Sequence, residues 1–100
     1  MPKIDDAALL ELEQRWNAIF TALAEGGEVS PAQRLRAEGF MEAAVVLGYA
    51  NAEQLQDAMA ESYRLCSQDS LPEDWRQLFP FPQIPGFGQR APVVPSTNEQ

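Results

Sequence analysis

The chain has 100 residues, 45% of them hydrophobic, which is enough apolar content for one core without a metal or a disulfide. Fifteen acidic residues against seven basic ones give a formal net charge of −8, which disfavours binding to nucleic acid or to an anionic membrane. The chain has no histidine, the commonest general base and transition-metal ligand, and its single cysteine, Cys66, excludes an internal disulfide.

The amino-terminal residues lack the basic and apolar regions of a signal peptide. No apolar run reaches the roughly 18 to 20 residues that span a bilayer. The sequence therefore predicts a cytoplasmic protein that does not contact a membrane.

The first predicted helix begins at Asp5 or Asp6 and ends at Gly26 and Gly27, because glycine readily adopts the left-handed conformation that terminates helices. Large apolar residues recur along it at three- and four-residue intervals, the period of one helix face. These residues are Leu9, Leu12, Trp16, Ile19, Phe20 and Leu23. We expect this face to point into the core.

The second predicted helix starts at Ser30, and Gln33 completes the pattern of a capping box. It ends at Gly48, and its second half is apolar on nearly every side. Such a helix is typical of the middle of a bundle or of a dimer seam. Gly39 and Ala43, four residues apart, would let another helix approach closely.

The third predicted helix opens with a second capping pattern, Asn51 with Gln54. Its predicted inner face consists of Leu55, Ala58, Met59, Ser62, Leu65 and Cys66. Its predicted outer face is acidic and consists of Glu53, Asp57 and Glu61.

A third capping pattern, from Ser70 to Glu73, predicts a short fourth helix that contains Trp75 and stops at Pro80 and Pro82. Short connections between helices predict antiparallel neighbours. The expected fold is an all-α antiparallel bundle of three main helices plus a short fourth. The residues expected in its core are Trp16, Phe20, Leu23, Leu35, Phe40, Leu47, Leu55, Met59 and Trp75.

Residues 80–100 are predicted to form an extended proline-rich arm that follows the helical domain, residues 1–79. A polyproline II helix has three residues per turn, which places Phe81, Ile84 and Phe87 on one edge. This apolar edge needs cover, either from the protein's own helices or from a partner. The arm is expected to be mobile after about residue 90.

No residue pattern predicts catalysis or a cofactor. Cys66 lacks a neighbouring base, which favours a buried structural thiol over a nucleophile. Two carboxylate pairs have helical spacing, Glu38 with Glu42 and Asp57 with Glu61. Di-metal carboxylate proteins add histidines to such pairs, so we interpret these acids as solvated surface and predict no metal site.

The turn between the second and third helices weakly resembles a helix-turn-helix, with Ala44 four residues before Gly48. In that motif the second helix enters the major groove of DNA. Here its acidic face, including Asp57, would be repelled by DNA phosphates, so the chain is not expected to bind nucleic acid.

These observations favour a protein–protein interaction module that binds itself or another protein through the second helix and the aromatic arm. No enzymatic activity, cofactor or small-molecule substrate is expected. The alternative is an acidic inhibitor or nucleic-acid mimic that occupies a basic groove of its target. The residues expected to contact a partner are Phe81, Ile84, Phe87, Met41, Val45 and Trp75.

Overall fold

The structure, a computed structural model, describes residues 4–85. Four helices form this part of the chain: α1 (Asp6–Ala24), α2 (Pro31–Val46), α3 (Ala52–Ser67) and α4 (Trp75–Leu78). These residues contain no strand. The predicted all-α bundle of three main helices and a short fourth is confirmed.

Side-chain caps start the three long helices, as the sequence predicts. Each capping oxygen accepts a backbone N–H of the first turn, which satisfies a donor without a partner inside the helix. The pairs are Asp5 with Ala8, Ser30 with Gln33, and Asn51 with Gln54. The cap predicted for the fourth helix is wrong, because α4 begins at Trp75, after the residue Asp74, whose side chain forms no cap.

Left-handed residues end the long helices. Gly26 and Gly48 have φ angles of 80° and 82° after α1 and α2. After α2, the Tyr49 N–H donates to the Ala44 carbonyl at 2.8 Å, which completes a Schellman motif. Gln68, the residue directly after α3, is also left-handed, with a φ of 60°.

Helix α1 is the central element, because it packs against both α2 and α3, whereas α2 and α3 make few direct contacts among the described residues. The Asp5 N–H donates to the Tyr49 carbonyl at 2.9 Å, so α1 starts where α2 ends and the two are antiparallel. The rings of Phe20 and Tyr63 meet edge to face at 5.3 Å, so α3 runs parallel to α1. The prediction that α2 occupies the middle of the bundle is therefore wrong.

Residues 75–85, here called the closing segment, bridge α2 and α3. At one end, the Arg76 guanidinium pairs with the Asp57 carboxylate of α3 at 2.5 Å. At the other end, the Ile84 N–H donates to the Glu38 carboxylate of α2 at 2.9 Å. The closing segment thus connects the two helices that scarcely touch each other.

The first residues of the predicted arm form a turn and not an extended ribbon. The Gln83 N–H donates to the Pro80 carbonyl at 2.8 Å, across a cis peptide bond between Phe81 and Pro82. The polyproline II geometry expected for this stretch is therefore wrong. Ile84 is buried in the core, while Phe87 and the predicted mobile end lie outside the described residues.

The core contains most of the predicted residues. Those confirmed as buried are Trp16, Phe20, Leu23, Leu55, Met59 and Trp75. Phe40 is half-buried, and the prediction is wrong for Leu35 and Leu47, which are 59% and 65% exposed. The inner face predicted for the third helix is wrong for Leu65, which is exposed, whereas Tyr63 is buried. Helix α2 turns only one of its two apolar sides towards α1, so the other side stays outside.

Candidate protein-interaction surface

Helix α2 carries apolar and small residues on two sides. The inner side is buried and consists of Ala37, Met41 and Ala44. The outer side is exposed and consists of Ala32, Leu35, Gly39, Ala43 and Val46, here called the outer stripe. Intervals of three and four residues place the outer stripe on one face of the helix.

The outer stripe is open to the surroundings along its length. Val46 is 78% exposed, and Leu47 beside it is also exposed. At Gly39, an added Cβ atom would meet nothing within 4 Å. No other part of the chain between residues 4 and 85 covers this face of α2.

Charges on α2 are segregated along its axis. The bases Arg34 and Arg36 precede the acids Glu38 and Glu42 along the helix. Glu38 is used inside the molecule, where it accepts the Ile84 N–H and lies 3.9 Å from Arg34. Arg36 and Glu42 are exposed and form no ion pair within residues 4–85.

Five of the six residues predicted to contact a partner belong to the described part of the chain, and none of the five lies on this surface. Met41, Trp75 and Ile84 are buried in the core of this structure, and their contact with a partner stays a prediction. Val45 and Phe81 are half-buried against the same core, and Phe87 lies outside the described range.

The sequence interpretation missed the outer stripe as a surface because it assigned Leu35 to the core. Gly39 and Ala43, the two residues expected to permit close approach of another helix, are both exposed on this face. The three- and four-residue spacing from Ala32 to Val46 was the available signal. It equals the spacing of the inner side, so periodicity alone does not distinguish the two.

A shallow groove lies on another side of α2, where it meets α1. The Arg15 guanidinium lies 5.0 Å from the centre of the Phe40 ring, a cation–π distance. It also pairs with Glu11 at 2.9 Å. Arg15 and Glu11 already have partners within the molecule, so the charged side chains of this groove are less available to another protein than the apolar residues of the outer stripe are.

The acidic face predicted for α3 is partly neutralised. Arg64 donates to the Glu61 carboxylate at 2.5 Å, and this hydrogen bond lowers the pKa of Glu61 below its ordinary value. Asp57 pairs with Arg76 of the closing segment. Two of the three acids on this face thus have cationic partners.

Cys66 is half-buried, not fully buried as expected, and its Sγ lies 3.4 Å from the Asn17 Oδ1 of α1. The nearest base in sequence, Arg64, is engaged by Glu61. Within residues 4–85, no group of three or more histidine, cysteine or acidic residues is placed to hold a metal ion.

No protein-family model matches the chain, and no curated protein or solved structure is significantly similar to it. Between residues 4 and 85, no helix combines the length and the apolar character needed to cross a bilayer. The surfaces of the molecule are therefore the basis for assigning a function.

Proposed function

We propose that the chain is a protein–protein interaction module whose contact surface is the outer stripe of α2. The observation that carries the proposal is the exposure of this face, with Leu35 at 59% and Val46 at 78%. Full burial of one such side chain is worth about 1.5 to 3 kcal/mol, so covering the stripe is favourable. The proposed contact surface is therefore α2 alone and not α2 together with the arm, because the described part of the arm packs on its own core.

The shape of the stripe suits a helix as the contacting element. Gly39 and Ala43 lie between Leu35 and Val46 and leave the backbone of α2 accessible. Helices packed through small residues approach to the short end of the usual range of about 8 to 10 Å between axes. A straight, convex helix face offers no enclosed volume for a small molecule.

A cytoplasmic location and the absence of catalysis are parts of the same proposal. A single cysteine provides no disulfide framework of the kind that small secreted domains use. The partly neutralised acids of α3, Asp57 and Glu61, make the alternative of an acidic inhibitor less favoured.

The test places charges on the outer stripe of the full chain. The variant Leu35→Glu/Val46→Glu is compared with the control Leu10→Glu/Leu65→Glu, which changes two leucines on α1 and α3 that are also more than half exposed. We expect the stripe variant, and not the control, to lose self-association in light scattering or the retention of specific proteins from native cell extract. Equal behaviour of the two variants, with both folded by circular dichroism, would contradict the proposal.

A further inference from the structure

The outer stripe is arranged symmetrically about Gly39, in the middle of α2 (Pro31–Val46). Leu35 and Ala43 each lie four residues from Gly39, in opposite directions. Ala32 and Val46 each lie seven residues from it. At each of these two distances from Gly39, one residue has a large side chain (Leu35 or Val46) and the other a small one (Ala43 or Ala32).

We propose that the occupant of the outer stripe is a second copy of α2, antiparallel to the first and crossing it at Gly39. This inference rests on the proposed function and names the partner of that surface. In a two-fold symmetric antiparallel pair centred on Gly39, residues equally distant from the centre come to the same level. Leu35 then meets Ala43 of the second copy, and Ala32 meets its Val46, so large side chains face small ones.

The charges on α2 select the antiparallel direction. In that arrangement, Arg36 of each copy lies at the level of Glu42 of the other, because both residues are three positions from Gly39. A parallel pair would bring Arg36 to Arg36 and Glu42 to Glu42, which is repulsive. Both residues are exposed and unpaired within residues 4–85, so both are available for such contacts.

The order of these charges is not explained by the stability of α2 itself. A helix is stabilised by acids near its N-terminus and by bases near its C-terminus. Helix α2 has neither an acid in its first turn nor a base in its last turn, and its bases precede its acids. A second, antiparallel copy makes this order favourable at Arg36 and Glu42, because each then lies at the level of the opposite charge.

Gly39 permits the close contact that the pair requires. Its Cβ position is empty to a distance of 4 Å, so a helix backbone can reach the crossing point without meeting a side chain of the same molecule. For the same reason, a large side chain introduced at Gly39 would fit the single molecule and obstruct only the pair.

The experiment measures the self-association of the full chain by sedimentation velocity up to millimolar concentration. The single variants Arg36→Glu and Glu42→Arg each bring like charges together, and we expect each to weaken association about tenfold. The double variant Arg36→Glu/Glu42→Arg and an equimolar mixture of the two single variants should both restore it. Gly39→Leu should weaken association by tenfold or more while the chain stays folded.

The control is Glu28→Arg, which changes the net charge as Glu42→Arg does but lies in the loop before α2. It should leave association unchanged. The antiparallel pair is contradicted if the substitutions at Arg36, Glu42 and Gly39 leave association unchanged. It is also contradicted if the charge exchange does not restore association.

A chain that stays monomeric at millimolar concentration also overturns the inference. If the retention of cell proteins nevertheless depends on Leu35 and Val46, the occupant is a different protein and the proposed function stands. If neither association nor retention depends on these two residues, the proposed function fails as well. Residues 86–100 would then be the remaining candidates for covering the stripe.

Discussion

The backbone N–H of Ile84 donates a 2.9 Å hydrogen bond to the carboxylate of Glu38, a residue 46 positions earlier in the chain. Ile84 is buried, and the Glu38 side chain is only 15% exposed. This bond holds the end of the closing segment against α2. The contact assigns the described part of the arm a structural role within its own molecule.

Removing the Glu38 carboxylate should destabilise the fold. We expect Glu38→Ala to lower the free energy of unfolding by about 1 to 3 kcal/mol, because it leaves the Ile84 N–H without its acceptor. Glu38→Gln keeps an acceptor oxygen and should cost less. Urea denaturation at low protein concentration measures both variants. The control Glu42→Ala, an exposed acid on the same helix, should change the free energy by less than about 0.5 kcal/mol.

Truncating Ile84 should have a larger effect. The side chain is 3% exposed and belongs to the shared core, so we expect Ile84→Ala to cost about 2 to 5 kcal/mol. Leu78→Ala, in the same segment but 54% exposed, is the matched control and should cost much less. Thermal unfolding measures the stability of both variants. An equal loss of stability in the two would mean that the closing segment does not complete the core.

Substitution of glycine by alanine should have opposite effects on stability at Gly39, within α2, and at Gly48, just after the end of α2. Gly39 lies mid-helix with an open Cβ position, so Gly39→Ala should raise the free energy of unfolding by about 1 kcal/mol. Gly48 has a φ of 82°, so Gly48→Ala should lower it by about 1 to 2 kcal/mol. Both variants are measured at low concentration, where the monomer predominates. Stabilisation by both substitutions would contradict the left-handed ending of α2.

The pKa of Glu61 should depend on Arg64. The hydrogen bond from Arg64 lowers it, so the pair contributes stability above the ordinary carboxyl pKa and loses it as pH falls through the lowered value. Both side chains are exposed, so solvent and salt weaken the effect. In a carboxyl NMR titration, Arg64→Gln should return the pKa of Glu61 towards normal, whereas Arg76→Gln should leave it in place. An unshifted Glu61 in the unmodified chain would refute the pairing.

Local signals in the sequence predict the helices well. The caps at Asp5, Ser30 and Asn51 and the endings at Gly26 and Gly48 depend on residues within one turn of each other. Such short-range chemistry is fully present in the sequence. The inner face of α1 is equally clear, because its large apolar residues, apart from the exposed Leu10, occupy a single side.

Helix α2 is where prediction from the sequence fails. Its inner and outer sides have the same spacing and similar polarity, and the choice between Met41 and Leu35 as the core residue is made by α1. That choice depends on tertiary packing, so the periodicity of the α2 sequence does not reveal it. The closing segment fails for a related reason, since the bond between Glu38 and Ile84 joins residues far apart in the chain.

The position of the closing segment also determines how the molecule opens. Helices α2 and α3 are joined mainly through α1 and residues 75–85, so detaching these residues admits water to the middle of the protein. Release of the segment and global unfolding then become nearly one event, and the amide of Ile84 should exchange its hydrogen almost as slowly as the amides at the centre of α1. A segment outside the three long helices thus makes the whole domain a single cooperative unit.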